Sequence, residues 1–210
     1  KIVMGIHSPV KIKSVQPSLS KSVHSASVTS PIFSKKGDVV IELKSLDNKD
    51  RWICSFDFKT KDLKEIEHQH DDAWIGGPGI ISWNMVPGTL DWFDDEKRFY
   101  FQSEESGYSH LYIYNVETGI KTQMTKGNFE IHDVKLSDEN KYFYINSNKS
   151  DAGNRSFYRL NIASKEWQSL LTQSGNYEVS LSQDEIIAAR ISGLKFDHKP
   201  LRIVPLTEKI

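Results

Sequence analysis

A single cysteine, Cys54, stands in the 210 residues, so no internal disulfide can staple the chain and no cysteine-rich metal knot can organise it. It falls in the apolar run Arg51-Trp52-Ile53-Cys54-Ser55-Phe56, where a thiol is expected to be buried and inert. A nucleophilic cysteine would need an exposed, electropositive setting. The lack of disulfides leaves the compartment open. Charge of one sign is also lacking: 27 Lys and Arg stand against 28 Asp and Glu, a net charge of −1. That removes the basic footprint a nucleic-acid partner requires. No apolar run approaches the roughly 20 residues that cross a bilayer as a helix, and Lys1 to Lys21 hold no hydrophobic signal core. No membrane segment is expected. Lys1 stands where an initiator methionine would be, so the chain is expected to lack its own beginning.

Helical periodicity is the next absence. Lys61 to His68 has the best helical composition, but its neighbours are turn-like and it also reads as a strand end; no convincing helix exceeds two turns. What the chain has is alternation at period two, in Asp38-Val39-Val40-Ile41-Glu42-Leu43, Phe99-Tyr100-Phe101 and Tyr142-Phe143-Tyr144-Ile145, the pattern of strands with different environments on their two faces. Further strands are expected at Leu111 to Val116, Phe157 to Ile162, Glu185 to Ser192 and Leu201 to Val204, separated by Gly, Asn, Asp and Ser clusters.

The chain also repeats itself. An apolar residue, Ser or Asp, a charged turn and a strand recur at Phe33-Ser34, Phe93-Asp94, Leu136-Ser137 and Leu181-Ser182, at offsets of 60, 43 and 45. Asp95-Glu96-Lys97-Arg98-Phe99-Tyr100-Phe101 aligns with Asp138-Glu139-Asn140-Lys141-Tyr142-Phe143-Tyr144 at an offset of 43. Units of roughly 40 to 50 residues that each fold as a four-stranded antiparallel meander are the blades of a β-propeller. We therefore expect an all-β chain of about four blades, a partial propeller within one domain spanning 1–210, with units at about 27–66, 80–125, 129–172 and 176–207. The longer first offset implies an insertion within Glu67 to Gly88, where Gly76-Gly77-Pro78-Gly79 and Pro87-Gly88 break the strand pattern. Insertions of this kind lie on propeller loops, commonly at the binding face.

Three phrases in order carry a family resemblance: Phe99-Tyr100-Phe101-Gln102-Ser103-Glu104-Glu105-Ser106-Gly107-Tyr108-Ser109-His110-Leu111-Tyr112, then Thr125-Lys126-Gly127-Asn128-Phe129-Glu130-Ile131, then Asn154-Arg155-Ser156-Phe157-Tyr158-Arg159-Leu160. From about Asp91 to Ser192 the chain resembles the amino-terminal propeller of the dipeptidyl peptidase IV branch of the prolyl oligopeptidase family of serine peptidases. The resemblance implies a parent in which a propeller covers an α/β-hydrolase domain with a Ser-Asp-His triad. The implied partners are that hydrolase domain and a peptide substrate, and the implied compartment leans to the periplasm or the cell exterior. No G-x-S-x-G nucleophile elbow occurs here, and no length is left for a hydrolase sheet. The expected function is therefore that of a non-catalytic segment, which gates and orients peptides for a hydrolase domain outside this chain. The alternative is a free-standing propeller that binds protein or glycan.

Candidate site residues follow from position. Trp74 and Trp83 flank the glycine-rich insertion and are candidates for substrate contact, since loop aromatics serve either recognition or anchoring. Glu130 is expected on a first, channel-lining strand, where a carboxylate either attracts a peptide ammonium or serves structure. In the family a glutamate pair grips the substrate amino group. Glu104-Glu105 directly follow a strand and precede Ser106-Gly107, so they read as a hairpin tip instead. His68-Gln69-His70-Asp71-Asp72 would place two imidazoles on one face if extended, but without an implied third ligand no metal and no cofactor are expected. Asn148-Lys149-Ser150 and Asn154-Arg155-Ser156 match the glycosylation triplet and read as chance occurrences.

Overall fold

The computed structural model describes residues 25–80, 88–171 and 175–182 in full, and outside these the backbone of short strands. Among the described residues every element is a strand. β1 (Val3–Met4) and β2 (Val10–Lys11) form a two-stranded ribbon. The first large sheet contains β3 (Ser14–Val15), β4 (Ala26–Val28), β5 (Ile32–Phe33), β6 (Val39–Ser45), β7 (Asp50–Asp57) and β8 (Asp62–His70). The second contains β9 (Leu90–Trp92), β10 (Arg98–Ser103), β11 (His110–Asn115) and β12 (Lys121–Gln123). The third contains β13 (Ile131–Leu136), β14 (Tyr142–Ser147), β15 (Ser156–Asn161) and β16 (Trp167–Ser169). β17 (Asn176–Leu181), β18 (Ile187–Ser192) and β19 (Arg202–Val204) make the fourth.

The second and third sheets are four-stranded antiparallel meanders in sequence order. The first departs from the expected plan, because Ser14 and Val15 add a parallel partner to β8 at Asp62 and Leu63. The segment with helical composition, Lys61 to His68, is mostly strand: β8 runs on to His70, paired with β7 throughout except at a bulge where Ile66 has no partner. Helix propensity is a weak prior that a completed ladder overrides. The insertion therefore begins after His70.

Alternation along the strands sorts apolar side chains between neighbouring sheets. Phe99, Phe101, Tyr112 and Tyr114 pack with Val40 and Ile53 of the first sheet. Tyr100, Leu111 and Ile113, on the opposite face, pack with Ile131, Phe143, Ile145 and Leu160 of the third. Tyr144 and Phe157 meet Tyr177 of the fourth. Sheets stacked face to face through both faces of their central strands are the packing of propeller blades. It explains why β6 is buried at every position, Glu42 and Lys44 included. Glu42 is ion-paired to Arg51 with both side chains fully buried, and Arg51 Nη1 crosses to the second sheet to donate to the Gln102 carbonyl at 2.7 Å.

The connections repeat down to single hydrogen bonds. In Asp57-Phe58-Lys59-Thr60-Lys61 the Asp57 carboxylate accepts the N–H groups of Lys59 and Thr60. Asn115 does the same for Glu117 and Thr118, and Asn161 for Ala163 and Ser164. Each turn closes on a residue with positive φ: Lys61 at 64°, Gly119 at 71° and Lys165 at 60°. Strand pairing corrects one alignment. Phe99 faces Trp92 as Phe143 faces Leu136, so the second and third units superpose at an offset of 44, not 43. A slip of one residue exchanges the two faces of a strand.

Candidate functional site

The first strands of successive sheets, β9, β13 and β17, border two adjoining clefts. One, of about 450 Å³, lies between Leu90 and Asp91 of β9 and His132, Asp133 and Val134 of β13, with Gly79 and Ile80 of the insertion at its edge. The other, of about 480 Å³, lies between His132 and the start of β17, lined also by Asn148, Asn154 and Arg155. His132 belongs to both. The ladder pairs Ile131 with Ser147 and Asp133 with Asn146, so His132 is an extra residue, a β-bulge. Bulges re-aim a side chain and recur beside binding sites. Burial, reinforced by the Arg155 guanidinium, holds the His132 imidazole below its ordinary pKa despite Asp133, so the ring is neutral at pH 7.

The insertion is tied down before it reaches the clefts. Asp71 N–H donates to the Lys49 carbonyl and Ile75 N–H to that of Asn48, and Ile75 packs on Ile80 in a small buried pair. Glycine is required at two points. A Cβ on Gly79, whose φ is +69°, would lie 2.0 Å from Gln102 Oε1, and one on Gly88 would lie 2.0 Å from the Gly79 carbonyl oxygen; a Cβ on Gly77 would meet only the end of the Glu104 side chain. Gln102 holds this crossing from below: its Nε2 donates to the carbonyls of Pro78 and Ile131, and its Oε1 accepts from Thr89 Oγ1. Between the two tethers the Asp71 carboxylate caps the N–H groups of Ala73 and Trp74, and the Trp74 side chain is 71% exposed. Trp83 lies outside the described residues.

Glu130 sits one residue before β13 and joins two sheets. Its Oε2 accepts the Ser109 N–H at 2.6 Å, its own N–H donates to Asn148 Oδ1 at 2.6 Å, and its carbonyl accepts from Ser147 Oγ. Beside it the buried His110 ring lies between Thr125 Oγ1 and the Gly127 carbonyl and edge-on to Phe129. Most of the polar residues in the Ser-Glu-Glu-Ser-Gly-Tyr-Ser-His and Thr-Lys-Gly-Asn-Phe-Glu phrases thus belong to one structural lock. Glu104 and Glu105 open a hairpin turn closed by Gly107 N–H on the Glu104 carbonyl. The Glu105 carboxylate shares the Lys121 ammonium with buried Glu67, each at 2.6 Å.

His68 and His70 do share a face, on a strand, and both ring nitrogens converge on Asp50 Oδ1 at 2.9 Å. His68 also stacks on Trp52. Burial opposes the ionisation of Asp50, but these bonds hold its pKa below the usual carboxylate range. Bonds to Asp50 and Asp72 raise that of His70. Among the described residues no group of three or more His, Cys, Asp or Glu side chains is placed to hold a metal ion. Cys54 is buried, and burial pushes its thiol pKa far up, which leaves it inert. Sequence reasoning missed Gln102, His132 and Arg155 as organisers of this region. Gly79, which faces Gln102, was its trace in the sequence.

Blade-like meanders stacked through both faces, with their first strands bordering shared clefts, define a segment of a β-propeller. The model of the dipeptidyl peptidase IV N-terminal region matches residues 2–196, and the chain belongs to that family. It is 24% identical over 168 residues to dipeptidyl peptidase 4 of Trichophyton rubrum, covering 72% of this chain and 21% of that protein. It is 30% identical over 128 residues to dipeptidyl peptidase 4 of Arthroderma otae, covering 59% and 16%. The crystal structure of Porphyromonas gingivalis dipeptidyl peptidase 4 superposes with a TM-score of 0.58 at 15% identity, over 72% of this chain and 20% of that one, a likeness of fold. The chain thus spans about a fifth of the length of these relatives. Among the described residues no helix is long and apolar enough to cross a membrane.

Proposed function

We propose that this propeller segment gates and orients peptides for a serine-type dipeptidyl peptidase whose α/β-hydrolase domain lies outside these 210 residues. The observation that carries the reading is the insertion, a loop fixed at Asn48, Gln102 and Glu104 that leaves Trp74 exposed and sets Gly79, Ile80 and Gly88 at the edge of the 450 Å³ cleft. A loop needed only for connection would be shorter and would have no reason to present a tryptophan to solvent. Clefts along first strands suit an extended chain. Holding that chain in place converts an encounter into a positioned reaction, which lowers the entropic part of the barrier. Trp74 supplies an exposed apolar contact in this reading, and Glu130 supports the frame.

The test is an assay on chromogenic amino-terminal dipeptide substrates of two proteins, the 210-residue chain and the longer natural protein that contains it. The expected result is no turnover by the chain, and turnover by the longer protein that a serine-directed inhibitor abolishes. A longer protein without peptidase activity would overturn the proposal in favour of a binding propeller.

A further inference from the structure

We propose that the cleft between the third and fourth sheets is a carboxylate-binding site for peptides, built from Arg155, Asn148 and Asn176 with His132 at its wall. Its wall carries donors with no protein acceptor among the described residues. Asn148 Oδ1 accepts the Glu130 N–H at 2.6 Å, and Asn176 Oδ1 accepts the Arg155 N–H at 2.9 Å. Each bond fixes the orientation of its amide, because only the carbonyl oxygen can accept from a backbone N–H. Both side chains line the same cleft, and among the described residues neither Nδ2 group has a hydrogen-bond partner. The Arg155 guanidinium, with five donors, likewise has no partner among the described residues. A cleft of about 480 Å³ thus gathers an exposed arginine and two fixed, half-buried amide donors that meet no protein acceptor among the described residues.

The charge balance selects the kind of acceptor. Glu178 borders the same cleft, Asp133 is held by Asn146 Nδ2 at 3.3 Å, and Asp151 accepts the Gly153 N–H. The Lys149 ammonium is turned over the Phe129 and Trp167 rings at 5.9 and 5.5 Å. His132 is held neutral chiefly by burial. Among the described residues, one uncommitted cation beside several carboxylates is too little charge for a phosphate or a polyanion. It suits a singly charged planar group that takes a fork of N–H donors, which is a carboxylate. Peptides offer one at the C-terminus and others on acidic side chains. The inference rests on the proposed peptide-handling role only for the source of the carboxylate.

The experiment is a side-chain NMR titration of this chain with N-acetyl-alanyl-alanine, its C-terminal amide, and N-acetyl-alanyl-glutamate amide. The acid is expected to shift the Asn148 and Asn176 amide signals and the His132 ring saturably, and the amide to bind at least about ten-fold more weakly, the usual loss when a charged hydrogen bond is removed. Arg155→Gln should lose a similar factor. Asn148→Asp keeps the acceptor for Glu130 N–H but replaces the spare donor with a negative charge, and should abolish binding even if Arg155→Gln fails to fold. Equal binding of the two glutamate and alanine acids supports a general carboxylate site, and preference for N-acetyl-alanyl-alanine a C-terminal one. Equal affinity for acid and amide, no response of the three signals, or unchanged binding by Asn148→Asp overturns the proposal. None of these outcomes bears on peptidase activity of the longer protein, which is measured separately.

Discussion

The His110 ring accepts at Nδ1 from the Thr125 hydroxyl, 3.0 Å away, and the same hydroxyl accepts the Leu111 N–H at 2.9 Å. With Nε2 directed at the Gly127 carbonyl, the only assignment that satisfies every group is a neutral ring protonated at Nε2. Thr125 is therefore both donor and acceptor in a buried chain that links β11 to the turn after β12. Thr125→Val keeps the shape and removes both functions, leaving two buried groups unpaired at about 1 to 3 kcal/mol each. Urea unfolding should show a loss of roughly 2 to 5 kcal/mol for Thr125→Val, and about 1 kcal/mol for Thr125→Ser, which loses only a methyl. Equal losses in the two variants would mean that the hydroxyl contributes nothing.

The same lock sets a pH dependence. Burial lowers the pKa of His110 from its ordinary 6.5, so on acidification the unfolded chain takes up a proton that the folded chain refuses. The stability contributed by this residue is present above pH 6.5 and is lost as the pH falls below it. His70 acts in the opposite sense. Its bonds to Asp50 and Asp72 raise its pKa, so its contribution is present below 6.5 and fades as the pH rises through its raised value. Because His70 is exposed its effect is screened, and His110 should dominate. An NMR titration should find the His110 ring neutral at a pH where the His70 ring is already charged. The reverse order would refute this electrostatic picture.

Much of the architecture was legible because blades are made from residues with one obvious preference. Phe99, Tyr100, Phe101 and their counterparts Phe143, Tyr144 and Ile145 are apolar on both faces, and a strand of that kind needs cover on both sides. That same richness hid the register. When every position is apolar, an offset of 43 reads as well as 44, and only the pairing with Trp92 and Leu136 separates them. Exposed Trp74 could be singled out by its glycine neighbours. His132 could not, since a bulge is a property of two strands and leaves no local signature. Arg155 was obscured for a related reason. Asn154-Arg155-Ser156 stood out only as a glycosylation triplet and as part of a family phrase, and its approach to Asn148 and Asn176 exists only in the folded chain.

The repeated turn permits a test by exchange. Lys61, Gly119 and Lys165 occupy one position with φ of 64°, 71° and 60°, a conformation that costs an L-residue about 1 kcal/mol and glycine almost nothing. The Lys61 side chain makes no hydrogen bond among the described residues, so Lys61→Gly should recover part of that cost. Gly119→Ala should lose about 1 kcal/mol, as the added methyl would meet only Tyr114 Oη at 3.7 Å. Thermal melts of the two variants should therefore move in opposite directions. Movement in the same direction would show that backbone strain at this turn does not govern either change.

Trp74 separates a recognition role from a structural one, because the structure leaves its side chain 71% exposed while the neighbouring Ile75 is buried. Truncating a buried aromatic costs about 3 to 5 kcal/mol through lost packing and the cavity left behind. Truncating an exposed one should leave stability almost unchanged, within about 0.5 kcal/mol. Trp74→Ala is therefore expected to melt with the parent, whereas Ile75→Ala should loosen the tether at Asn48 and lower the melting temperature. In the longer protein, Trp74→Ala should then raise KM several-fold with a smaller change in kcat, the pattern left when a contact made equally in ground state and transition state is removed. If Trp74→Ala melts with the parent and its kinetics are also unchanged, the exposed tryptophan has no part in substrate handling. The loop would then serve only to brace Gln102 and Glu104 through the close approach of Gly77 and Gly79.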